Sequence, residues 1–216
     1  MKLAFICGCG HTGTTLLTTM LSTHSEIYTP YLETWSYIYK EYEWILPTLI
    51  KEAKTRKENM FLEKTPKHIY HVNQIEKDYD NCKFIFCVRN GYDVIASLEK
   101  RYQDFDKAYN RYIEDTQETI KQESKGLVVK YENLIKSPGQ TLQNICKHLQ
   151  LPYEKKMLNY HKMRLPEWSD VVDDANAMMR FQQIKKPIYK PRHKRQKEQC
   201  RSPEFDEIMR HFGYRL

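Results

Sequence analysis

Long apolar runs, glycine and linker composition are all scarce in this chain, and each scarcity excludes something. No run approaches the ~18–20 apolar residues that a membrane span requires, so no membrane anchor is expected. Seven glycines and nine prolines in 216 residues, with no Gly/Ser-rich stretch and no internal repeat, leave no room for a flexible linker or a low-complexity segment. The opening Met1–Cys7 is apolar but turns at Gly8, which is too short for a signal-peptide core, and no small-residue cleavage site follows. It reads as a first strand, and the protein is expected to be cytoplasmic. The six cysteines form no metal pattern: Cys7 and Cys9 are spaced C-x-C without a second pair or a histidine cluster. Free thiols in a reducing compartment are the simpler account.

What is present is an ordinary globular composition, 40% apolar and 29% charged, in a length that fits one domain with a real core. The net charge of +7 is uneven. Arg180 to Arg201 holds nine Lys/Arg against one acid, Glu198, while the remaining 26 Lys/Arg and 27 acids nearly cancel. Such a segment suits nucleic acid, an acidic membrane surface or a phosphorylated small ligand. It equally suits a solvated basic stretch with no partner.

Short β-rich runs recur at Leu3–Cys7, Met60–Leu62, Lys83–Val88 and Leu127–Lys130. Between them lie stretches of helical character at Trp35–Lys54, His68–Tyr79, Tyr92–Phe105 and Lys107–Ser124. Ser137-Pro138 and then Pro203 open two further helices. Strand–helix alternation predicts a three-layer α/β fold with a central parallel sheet flanked by helices. Ligands of such sheets bind at the C-terminal ends of the strands.

The first strand ends in Gly8-Cys9-Gly10-His11-Thr12-Gly13-Thr14-Thr15. Its glycines allow a turn that aims backbone N–H groups inward, and a helix starting near Thr14 adds its positive end. Thr14 and Thr15 add hydroxyl donors. Compared with G-x-x-x-x-G-K-[ST], the Gly8–Gly13 spacing is right, but Thr14 stands where the lysine belongs, which argues against ATP or GTP hydrolysis. The bland alternative is a Gly-rich turn with no ligand. The third apolar run ends in Arg89 instead of a magnesium-binding acid. An arginine there would repel a metal and accept a second phosphate, with Ser97 within reach on the second turn of the helix that Gly91 opens. Alone, Arg89 reads equally as a structural cap or ion pair. Together, the two anion sites favour a ligand with two separated phosphates and no metal.

Gly10–Leu17 resembles the 5′-phosphosulfate loop of the PAPS-dependent sulfotransferases, which normally carries Arg or Lys at the position of His11. Arg89-x7-Ser97 resembles the family's 3′-phosphate motif. Val129-Lys130-Tyr131-Glu132-Asn133-Leu134 resembles a later segment whose tyrosine contacts the nucleotide, and Phe212-Gly213-Tyr214 matches a common ending. The similarity is greatest to the branch of tyrosylprotein and carbohydrate sulfotransferases and their bacterial relatives. It covers roughly the first 150 residues and implies a P-loop-like fold; 1–216 is expected to be one domain, with 1–150 as the PAPS-binding core and 151–216 as a helical, basic extension. It also implies transfer of a sulfuryl group from 3′-phosphoadenosine 5′-phosphosulfate (PAPS) to a hydroxyl of a small molecule, glycan or peptide, with no nucleic acid involved.

By the same resemblance Glu33 matches the general base and Lys64, in Glu63-Lys64-Thr65-Pro66, the catalytic lysine. Cofactor binding is expected from Gly10, His11, Thr12, Gly13, Thr14, Thr15, Arg89, Ser97, Tyr131 and Lys186, the last beside Lys185. The transfer needs a cation at the leaving oxygen, and Lys64 and a protonated His11 are the candidates. Glu33 reads otherwise as a surface acid. His68 and His71 are rival bases, or else exposed helix histidines. The aromatics Tyr37, Tyr39, Trp44 and Trp168 are acceptor walls or simply core. Competing functions are a small-molecule kinase of the P-loop type, which lacks its lysine here, and a non-enzymatic anion binder using the basic segment.

Overall fold

The computed structural model describes residues 1–162, 199–200 and 202–216. Five parallel strands form one sheet: β1 (Lys2–Gly8), β2 (Ile27–Tyr28), β3 (Met60–Lys64), β4 (Lys83–Val88) and β5 (Gly126–Lys130), in the order β2-β3-β1-β4-β5. All four sequence-predicted strands are present. Missed was β2, whose two residues pair with Met60 and Phe61 at one edge. The inner strands bury apolar residues on both faces because helices cover both, with Glu63 and Lys64 at the end of β3 as buried charged exceptions. Ala4 and Ile6 of β1 face a core with α1 (Thr14–Leu21), while Phe5 and Cys7 face one with α2 (Ile45–Ala53) and α3 (Val72–Asp78). That split is the period-two alternation of a strand.

Helices α4 (Gly91–Tyr102) and α5 (Phe105–Gln122) follow β4, and α6 (Tyr131–Lys136) and α7 (Pro138–Leu149) follow β5. Each of the first two has a polar cap: Asn90 accepts from the Tyr92 N–H and Asp104 from the Lys107 N–H, as helix starts require. The last helix, α8 (Pro203–His211), buries Phe205, Ile208 and Met209 against Tyr92, Val94 and Tyr112. Residues beyond 150 thus enter the same core.

Two helical expectations need correction. Trp35–Lys54 is not one helix: residues 35–44 run through turns and a short 3₁₀ segment, and α2 begins only at Ile45. Trp35 itself has a left-handed φ of 54°, which a helix cannot contain. His68–Tyr79 divides into a 3₁₀ turn, Pro66–His71, and α3. Among the described residues no helix is long and apolar enough to cross a membrane.

The chain winds from β1 through β2 to β3 on one side of the sheet, then crosses to β4 and β5 on the other. The C-terminal end of β1 is therefore the switch point where open α/β sheets bind ligands. Register sets what gathers there. Ile6 pairs with Lys64, Gly8 with Cys87, and Val88 with Lys130. The loop after Gly8, Lys64, Arg89 and Tyr131 consequently share one rim.

Candidate active site

The loop between β1 and α1 closes on itself and on α4. Thr12 spends its hydroxyl on the Cys9 carbonyl, 2.7 Å away. Gly13 has φ of 95°, and a Cβ there would sit 2.5 Å from Cδ2 of Tyr131, so only glycine admits both the turn and the ring beside it. His11 has a left-handed φ of 68°, a costly conformation for a non-glycine residue and one that concentrates at functional sites. Its Nδ1 lies 2.7 Å from the Ser97 hydroxyl on α4.

Arg89 closes the neighbouring side. Its Nη1 donates to the His11 carbonyl at 3.3 Å, its Nη2 lies 3.5 Å from Asp93 Oδ2, and its guanidinium stacks 4.3 Å over the Tyr131 ring. Its Nε is buried with no hydrogen-bond partner among the described residues. A buried donor without a partner is costly, and a bound anion would satisfy it. Glu132 braces this turn, accepting from the Asn90 N–H at 2.9 Å and the Tyr214 hydroxyl at 2.8 Å. The C-terminal Phe212-Gly213-Tyr214 therefore works as a strap: Lys130 Nζ also donates to the Phe212 carbonyl.

His11 departs from the expectation of a protonated cation. Burial, reinforced by the positive charges of Arg101, Arg111 and Arg89, pushes it down to about 4, which favours the uncharged imidazole; a bound dianion would act in the opposite sense. The same three guanidinium groups leave the loop in a surplus of positive charge, the electrostatic setting for an anion.

Next to the loop, Lys64 and Glu33 meet. They are 31 positions apart in sequence, yet Nζ donates to Glu33 Oε1 at 2.6 Å. Glu33 is 7% exposed and Lys64 1%, so Glu33 is no surface acid. The segment carrying it is held open under strain, with Tyr31 and Trp35 both in the left-handed region at φ of 52° and 54°. A second carboxylate, fully buried, holds that segment. Glu63 Oε1 accepts from the Thr34 hydroxyl at 3.1 Å and from Thr65 Oγ1, and Oε2 lies 3.1 Å from His68 Nδ1. Burial alone would raise the Glu63 carboxyl, but His68, the Thr65 hydroxyl and the Thr34 N–H hold it below the usual range.

His68 is thus corrected: it is not an exposed helix histidine but a wholly buried one on the turn that Pro66 opens. Tyr37 packs edge-on against it at 5.5 Å and stacks on the half-buried His71. A cavity of about 710 Å³ is lined by Tyr37, Tyr39, Leu46 and His71. None of Glu33, Lys64, His11 or Arg89 lines it; Tyr37 is what the cavity shares with the buried network. Trp44 is 52% exposed, so it is neither core nor wall here. Lys185, Lys186, Trp168 and all of the basic segment but its last described residues lie outside the described residues.

Sequence reasoning missed Glu63 as an organiser, although it stands beside Lys64. It also missed Arg111 and Asp115 on α5, which look like an ordinary pair four residues apart on a helix.

The profile of the sulfotransferase family matches residues 33–155, more than half of the chain. The chain belongs to the sulfotransferase family. The match spans Glu33, Lys64, Arg89, Ser97 and Tyr131. Solved sulfotransferases share the fold. The sulfotransferase domain from the curacin biosynthetic pathway superimposes with a TM-score of 0.71 at 18% identity, covering 100% of this chain and 98% of that domain. The sulfotransferase domain of the Synechococcus PCC 7002 olefin synthase gives 0.68 at 19%, covering 100% and 96%. Mouse sulfotransferase SULT7A1, solved with PAP, gives 0.60 at 15%, covering 97% and 85%. No curated protein matches the sequence of this sulfotransferase.

Proposed function

We propose that this sulfotransferase uses PAPS as donor and sulfates a hydroxyl of a carbohydrate, a phenol or tyrosine, or another small alcohol. The observation that carries the reading is that the glycine loop after β1, Arg89 after β4 and the buried Glu33–Lys64 pair at the tip of β3 gather on one rim. The fit to a bisphosphorylated nucleotide rests on the surplus of guanidinium charge, the unpartnered Arg89 Nε and the N-terminus of α1 behind the loop.

In this reading the N–H groups after Gly8, with Thr14 and Thr15, hold the 5′ group. Arg89 and Ser97 hold the 3′-phosphate, and Tyr131 packs on the nucleotide. When bound, PAPS supplies an activated sulfuryl group whose bond to the 5′-phosphate oxygen is the one that breaks. Lys64 neutralises charge growing on the departing oxygen. Glu33 accepts the proton of the attacking hydroxyl, with Oε2 able to take it while Oε1 holds Lys64. Both acts are positioning and charge stabilisation, which suit an in-line transfer. Six free cysteines suit a reducing compartment such as the cytoplasm.

A kinase reading has little to stand on, since Thr14 replaces the phosphate-binding lysine and Arg89 the magnesium acid. The deciding experiment is thermal unfolding with adenosine 3′,5′-bisphosphate set against ATP plus magnesium. Stabilisation by the bisphosphate alone, abolished in Arg89→Ala, is expected; preference for ATP–magnesium overturns the reading.

A further inference from the structure

The loop that cradles the 5′ group has one side chain able to become a cation, and that side chain, His11, is held neutral. A family member with Arg or Lys there would place a fixed charge on the loop itself. Here the neighbouring helix supplies one. Arg111 of α5 reaches the loop so closely that a Cβ on Gly10 would sit 2.9 Å from its Nη2. Glycine at that position is what lets the guanidinium lie against the backbone.

Arg111 is also braced. Its Nε donates to Asp115 Oδ2 at 3.2 Å and its Nη1 to the Tyr102 hydroxyl, which leaves Nη2 toward Gly10. Asp115 is fully buried, and its other oxygen accepts from Lys67 Nζ at 2.7 Å and the Tyr70 hydroxyl at 2.8 Å. Two cations share one carboxylate, so the cluster keeps a net positive charge beside the loop. Lys67 and Tyr70 belong to the turn that follows Lys64, and the cluster therefore ties α5 to both strand tips of the site. A fork of donors fixed in this way is preorganised for an anion.

We propose that Arg111, oriented by Asp115, binds the 5′ group of the donor in place of the cation absent from the loop. The inference rests on the donor reading above. It divides the labour between two arginines: Arg89 serves the 3′ side and Arg111 the 5′ side.

The test is calorimetric binding of three nucleotides: adenosine 3′,5′-bisphosphate, adenosine 5′-phosphosulfate, which lacks the 3′-phosphate, and adenosine 3′-monophosphate, which lacks the 5′ group. Arg111→Ala should weaken the first two by about 10- to 100-fold, the loss of charge-assisted bonds, and leave the third unchanged. Arg89→Ala should weaken the first and third and spare the second. Adding His11→Arg to Arg111→Ala should recover most of the 5′ affinity, a rescue that a merely structural arginine would not permit. Should Arg111→Ala not fold, Arg111→Lys, which keeps the charge without the fork, should show a smaller loss confined to the 5′ ligands. Unchanged 5′ affinity, or equal loss on all three nucleotides, overturns the assignment while wild-type binding of the bisphosphate keeps the donor reading. Wild-type protein that binds none of the three overturns both.

Discussion

The tips of β1 and β3 are neighbours in the sheet, yet they balance charge in opposite ways. Around the β1 loop three guanidinium groups and Lys67 outnumber the two carboxylates that pair with them, Asp93 on Arg89 and Asp115 on Arg111 and Lys67. At the β3 tip Lys64 is matched by Glu33 at 2.6 Å, and both are buried. An unbalanced rim attracts an anion at once. A balanced, buried pair has little net charge to draw an anion, and its two members act on the reacting groups instead. Donor binding and chemistry should therefore separate cleanly in mutants, and each experiment below attempts to blur that separation.

The largest effect is expected at the balanced pair. Glu33→Gln should lower kcat by about 10²- to 10⁴-fold, the range for loss of a general base, while bisphosphate affinity stays within a few-fold. Lys64→Met should cost similar turnover and also about 3–5 kcal/mol of stability, because it strands a buried carboxylate. Single-turnover kinetics beside denaturant melts separates the two. Unchanged turnover in Glu33→Gln removes Glu33 as the base.

Next is the carboxylate beneath the pair. Glu63→Gln should leave Thr34 and His68 poorly satisfied, at about 1–3 kcal/mol, and relax a segment strained at Tyr31 and Trp35. Turnover should fall and the donor KM should not. A fall in donor affinity of the same size would join the two tips that charge balance separates.

These two carboxylates mark what could be read from the sequence. The β1 loop, Arg89 with Ser97, and Tyr131 are local motifs: each lies within a few residues of a strand end, and a strand end fixes its place on the rim. Glu33 and Lys64 could be named from resemblance, but not their contact, which depends on a 31-residue excursion returning to the same tip. Helical periodicity over residues 35–44 misled because aromatic spacing there serves packing around Tyr37 and Tyr39, not a helix face. Arg111 was hidden for a different reason. On α5 it reads as an i,i+4 partner of Asp115, and only the missing loop cation hints that its charge is needed elsewhere.

A smaller effect is expected at Gly13. Alanine there meets both a φ of 95° and the Tyr131 ring at 2.5 Å, so Gly13→Ala should lose about 1–3 kcal/mol. By shifting Tyr131 it should also disturb Arg89, which stacks on that ring. Bisphosphate affinity should drop several-fold, and kcat at saturating donor should not.

The smallest effect tests the neutral histidine on which the contrast depends. In the folded protein His11 is pushed from the usual 6.5 down to about 4, mainly by burial and then by Arg101, Arg111 and Arg89. As pH falls below 6.5 the unfolded chain takes up a proton at this position and the folded one does not, so stability drops with pH until about 4, where both are charged. His11→Gln, which still has a polar group for Ser97, removes that contribution. Glu63 and Glu154 also lose favourable interactions in acid, but equally in both proteins, so they cancel in the difference. Between pH 6.5 and 4.5 the wild-type melting temperature should therefore fall by a few degrees more than that of the variant. Identical slopes would mean that His11 already carries its charge in the fold. The loop would then have its own cation, and the need for one from α5 would disappear.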